Sequence, residues 1–69
     1  MKFFYNKDNG LVAVSRVTDI EIELERTHSY IIFNLDTQKS VVWSFDTEAQ
    51  LESTLEEIVT CRGIVDIGT

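Results

Sequence analysis

One cysteine, one histidine and twelve carboxylates are the groups in this 69-residue chain that could do chemistry. A cysteine nucleophile needs a base beside it. Cys61 falls in the last turn of an expected helix and His28 in a distant polar turn, and nothing in the sequence joins them. The plainest expectation is therefore a buried, inert Cys61 and a solvent-exposed His28. His28-Ser29 adjacency is not a triad, because triads are assembled in space around a third group. Lys7-Asp8-Asn9-Gly10 has some of the composition of a calcium loop, but lysine occupies a ligand position and the closing glutamate is missing. Glycosidase chemistry needs two carboxyls held in a cleft in unlike environments, and so short a chain has little room for a cleft. No phosphate loop, dinucleotide fingerprint or zinc spacing occurs. The expectation is a non-enzymatic protein with no cofactor and no metal.

The carboxylates are patterned nonetheless. Asp19, Glu21, Glu23 and Glu25 are all odd-numbered, so an extended strand puts them on one face, ~6.6–6.8 Å apart in successive pairs. Glu48, Glu52 and Glu56 repeat at helical spacing. The plainest account is two solvated faces, with the strand charges opposing edge pairing and Arg16, Arg26 or Lys39 neutralising some of them. The functional account is a row of carboxylates offered to a basic surface on another protein. Such a row loosely imitates a nucleic-acid strand, whose charges repeat every ~3.4 Å along the axis.

The elements that would position these groups follow from periodicity. Asn9-Gly10 between apolar runs marks a hairpin, joining a strand at 2–6 to one at 11–15. Asp19-Ile20-Glu21-Ile22-Glu23-Leu24-Glu25 alternates with period two, predicting a strand at 18–25 with one buried and one wet face. Arg16-Val17 interrupts the run with a bulge, bend or break. Further strands are predicted at 30–35 and 41–45, joined by polar turns short enough for an antiparallel meander. Thr47-Glu48-Ala49-Gln50 fits a capping box and opens a helix at 47–61, with Leu51, Leu55, Ile58 and Val59 on one face. Gly63 stands where a left-handed terminating residue belongs. Ile64, Val65 and Ile67 would add a short edge strand or pack as a tail. The predicted fold class is α+β: one domain, an antiparallel three- to four-stranded meander with one C-terminal helix on one face. Its predicted core is Val12, Val14, Ile20, Ile22, Leu24, Ile31, Phe33, Leu35, Val41, Trp43, Phe45, Leu51, Leu55 and Ile58.

Twelve acids against six bases give a net charge of −6, which argues against direct contact with nucleic acid or an anionic membrane. A single cysteine and the lack of a signal-like apolar run favour the cytoplasm. So small a domain gains from a partner, and a homodimer is one expectation. The other is a different protein with a basic surface, met through Asp19, Glu21, Glu23, Glu25 and the neighbouring Tyr30 and Ile32. In its most concrete form that expectation is an inhibitor of the kind phages and mobile elements carry, occupying a nucleic-acid-binding surface of a host protein. The alternative is a structural or assembly protein that self-associates through the outer sheet face.

Overall fold

Asn9-Gly10 turns the chain where the sequence demands it. In the computed structural model, which describes residues 1–68, β1 (Lys2–Asn6) pairs antiparallel with β2 (Gly10–Ala13), Asn6 opposite Gly10. Gly10 has φ 105, open to glycine alone without strain. Asn6 Oδ1 closes the turn by accepting from the backbone N–H groups of Asp8 and Asn9, each at 3.0 Å. The second strand stops at Ala13, short of the expected residue 15. Val14–Arg16 form a single 3-10 turn, which redirects the chain into a different sheet. There β3 (Val17–Leu24), β4 (Ser29–Leu35) and β5 (Ser40–Phe45) make the expected meander in the order β3-β4-β5. The pairing register shifts between Val17 and Asp19, the irregularity the sequence signals one residue earlier.

The helix α1 (Glu48–Val59) starts as its capping box requires. Thr47 Oγ1 accepts from Gln50 N–H at 3.2 Å. Gln50 Oε1 reaches back to Asp46 N–H at 3.1 Å, one residue beyond the usual target. Beyond the helix, β6 (Ile64–Asp66) lies along β1, giving a second sheet in the order β2-β1-β6. The fold is thus α+β, with six strands in two antiparallel three-stranded sheets and one helix among the described residues. No helix among the described residues is long and apolar enough to cross a membrane.

The core lies where the two sheets and α1 meet. Phe4, Val12, Ile31, Phe33, Trp43, Phe45 and Leu51 are buried, with Val14, Leu35, Val41, Leu55 and Ile58 packed partly against them. Phe4 stacks on Phe33 at 5.6 Å between centroids, and Phe33 meets Trp43 edge-on at 4.6 Å, both favourable aromatic geometries. Three expected core residues are not there. Ile20, Ile22 and Leu24 share the inner sheet face with Phe33 and Ile31, yet they are 37%, 50% and 56% exposed. The reason is reach: α1 packs on β4 and β5 and Phe4 of β1 stacks on Phe33 of β4, while β3 is an edge strand beyond them.

The helix ends differently from expectation. Cys61, not Gly63, takes the left-handed conformation, with φ 62, and its thiol is exposed rather than buried. Cys61 N–H donates to Ile58 C=O at 3.2 Å, one half of a Schellman closure. Gly63 instead lies at a close approach, where a Cβ would sit 3.2 Å from Glu57 Cβ, tighter than ordinary van der Waals contact. A side chain in the left-handed region costs ~1–2 kcal/mol, and an exposed one gives little packing in return. Cys61→Gly is expected to stabilise the fold by about 1 kcal/mol, read as a higher urea midpoint at unchanged slope. A lower midpoint would mean the thiol makes a contact worth more than the strain.

Candidate protein-docking surface

Backbone hydrogen bonds decide what β3 offers to its surroundings. Glu25 N–H donates to His28 C=O at 2.9 Å. Antiparallel pairs alternate between bonded and non-bonded, so Glu23–Tyr30 and Glu21–Ile32 are the next bonded pairs in this register. The β4–β5 hairpin gives the same answer independently. Leu35 N–H donates to Lys39 C=O at 2.8 Å, which commits the odd-numbered residues of β4 to β5 and leaves the even-numbered ones for β3. The N–H and C=O groups of Ile20, Ile22 and Leu24 therefore point away from β4, toward an edge where no further strand lies among the described residues. The opposite edge of the sheet is capped at Ser44. Asn9 Nδ2 donates to Ser44 C=O and Ser44 N–H donates to Asn9 Oδ1, both at 3.2 Å, so the β1–β2 turn meets β5 at that residue.

The carboxylates stand on the other face of the same strand. Across from Asp19, Glu21 and Glu23 lie Asn34, Ile32 and Tyr30, none of them basic. Asp19 is held in place: Asn34 Nδ2 donates to its Oδ2 at 3.2 Å, and Ser40 Oγ donates to Asn34 Oδ1 at 2.8 Å. Glu21, Glu23 and Glu25 have no ion-pair partner among the described residues. Arg16 is not available to them, because it faces Asp36 at 3.8 Å. Arg26 and Lys39, the other expected neutralising bases, make no ion pair among the described residues either. On the helix, by contrast, Glu56 is matched by Arg62 at 3.2 Å. The row on β3 is thus the less compensated of the two acidic sets. Beside it on the outer face, Tyr30 and Ile32 are half-buried and Val42 is 52% exposed. The His28 ring stacks on Tyr30 at 6.4 Å and its Nε2 lies 3.9 Å from Asp46 Oδ1.

The groups that could do chemistry are scattered. His28 sits near Asp46, ahead of α1, while Cys61 lies past its far end, and twelve helical residues span roughly 18 Å between them. An open groove of about 700 Å³ runs between the β1–β2 turn and the start of α1, with Tyr5, Lys7, Asp46, Gln50, Ser53 and Glu57 along it. Neither Cys61 nor His28 lines it. Among the described residues no three His, Cys, Asp or Glu side chains converge as a metal site would require.

No protein-family model matches this chain, and no curated protein or solved structure is significantly similar to it. What the β3 surface does has to be read from its own geometry. Sequence reasoning finds the acidic half of that surface and the adjoining Tyr30 and Ile32. It misses the aliphatic half, Ile20, Ile22 and Leu24, by assigning it to the core. The available signal was length: one twelve-residue helix and a sheet of three short strands do not cover all three strands of the longer sheet. It also misses Asn9, whose side chain takes both backbone hydrogen bonds of Ser44 on β5.

Proposed function

We propose that this chain is a small, acidic, non-enzymatic protein-binding module that docks through β3 on a basic surface of another protein. The observation that carries the proposal is the row Glu21, Glu23 and Glu25, without ion-pair partners among the described residues, along and just past an exposed edge strand. Like charges spaced along one strand repel one another, and burying one side of them against lysine or arginine relieves that repulsion and steers association. An inhibitor that fills the nucleic-acid-binding groove of a host protein, as phage and mobile-element products do, is the most concrete form of this role. A single cysteine with an exposed thiol supports a reducing, cytoplasmic setting. Self-association through Tyr30, Ile32 and Val42 is the competing form. It is less favoured because Glu21 and Glu23 border that patch in every copy.

The test is capture from cells of the native host followed by mass spectrometry, using two charge-reversed chains of equal net charge. The first carries Glu21→Lys with Glu23→Lys; the second carries Glu48→Lys with Glu52→Lys on the helix. A protein captured by the native chain and the helix variant, and lost by the β3 variant, is the expected result. Equal loss by both variants would reduce the effect to net charge and remove β3 from the account.

A further inference from the structure

The docking reading says where a partner sits; the backbone of β3 says how. Ile20, Ile22 and Leu24 present outward-facing N–H and C=O groups and exposed aliphatic side chains, and Glu21 and Glu23 project from the opposite face between them. We propose that β3 accepts an added strand, an extended segment of the partner in which lysine or arginine alternates with aliphatic residues, paired antiparallel along Ile20–Leu24. The inference rests on the reading of β3 as a protein-docking surface and specifies its ligand.

Each feature of the segment follows from β3. Antiparallel addition matches every other pair in the sheet and is the more stable orientation per residue. Residues of the added strand directly opposite Ile20, Ile22 and Leu24 fall on the inner face, ~4.5–5.5 Å away between Cβ atoms. Aliphatic side chains there would cover the apolar row that β1 and α1 leave bare. The intervening residues fall beside Glu21 and Glu23 on the outer face, where a base is favoured and an acid opposed. Period two makes these two demands alternate. A second copy of this chain fails the charge test. Pairing β3 with itself about Ile22 sets Glu21 of one chain against Glu23 of the other, twice. Every register that keeps the aliphatics inward also opposes acids, because Asp19, Glu21, Glu23 and Glu25 fill the odd positions. At the sheet's other edge the Asn9 side chain already holds the backbone N–H and C=O of Ser44.

The geometry also fixes which amides of the segment matter. Ile20, Ile22 and Leu24 are the residues that bond outward, so their opposite numbers, the aliphatic residues, are the ones whose N–H groups face β3. The experiment titrates the isotope-labelled protein with short synthetic peptides and follows amide exchange by NMR. The peptides are alternating valine and lysine, the same composition in two blocks, and the alternating sequence N-methylated at its valines or at its lysines. The alternating peptide and its lysine-methylated form are expected to slow exchange at Ile20, Ile22 and Leu24 by at least about tenfold, with the block and valine-methylated peptides leaving those amides unchanged. If the block peptide binds as tightly as the alternating one and no amide slows, strand addition is overturned while the acidic docking surface stands. If valine methylation is harmless and lysine methylation is not, antiparallel pairing is overturned. If no basic peptide binds, the docking reading falls and this inference with it.

Discussion

Trp43→Ala is expected to leave little folded protein. Trp43 is 1% exposed and lies edge-on to Phe33, which in turn stacks on Phe4. It therefore links β5 through β4 to the second sheet, and its loss opens a cavity at the point where the two sheets meet. Truncating a buried aromatic of this kind costs ~3–5 kcal/mol, against a total of ~5–15 kcal/mol for ordinary domains and the lower end for one this small. One feature works in the opposite direction. Trp43 Nε1 has no hydrogen-bond partner among the described residues, and an unpaired buried donor costs ~1–3 kcal/mol. Trp43→Phe removes that donor and keeps an aromatic ring against Phe33, so it is expected to cost clearly less than the alanine change. Far-UV circular dichroism during urea unfolding reads both variants. A native-like cooperative transition for Trp43→Ala would contradict the placement of the indole at the sheet–sheet junction.

The charge reversal on β3 has the largest expected effect on binding. Glu21→Lys with Glu23→Lys removes two attractions to a basic partner and adds two repulsions. Exposed charge pairs are worth ~0.2–1 kcal/mol each, so four such terms come to about 1–4 kcal/mol, roughly fourfold to several hundred-fold in affinity. Stability moves far less. Both side chains are exposed and have no ion-pair partner among the described residues, so the change stays within about 0.5 kcal/mol. Its sign at low salt is toward greater stability, because the reversal breaks a run of like charges. The combination of intact folding and lost binding, checked by thermal melting beside a binding titration, separates a docking surface from a solubility device. Undiminished binding by the reversed chain would leave the row as a device against aggregation.

Much of this architecture is legible in the residue pattern. The Asn9-Gly10 hairpin, the strand regions around 30–35 and 41–45, and the Thr47–Gln50 cap are all dictated by local chemistry, and local chemistry survives folding. Alternation in residues 19 to 25 correctly puts the carboxylates on one face and Ile20, Ile22 and Leu24 on the other. What alternation cannot carry is whether a face is covered. That depends on which strand ends up outermost, a long-range property set by the 3-10 turn at Val14–Arg16 and by β6 returning to β1. Phe4 escapes the expected core for a related reason. Lys2-Phe3-Phe4-Tyr5-Asn6 is apolar at three adjacent positions, so periodicity does not say which ring points inward. Cys61 in a left-handed conformation is opaque too, because glycine two residues later is the more natural terminator.

The claim on which the account turns is that β3 is an unoccupied edge. Amide hydrogen exchange of the isolated protein tests it directly. Ile20, Ile22 and Leu24 are expected to exchange rapidly while Glu21 and Glu23, bonded to Ile32 and Tyr30, exchange slowly. Uniform protection from residue 19 to residue 25 would show the edge already filled by this chain or by a second copy, and would contradict the account.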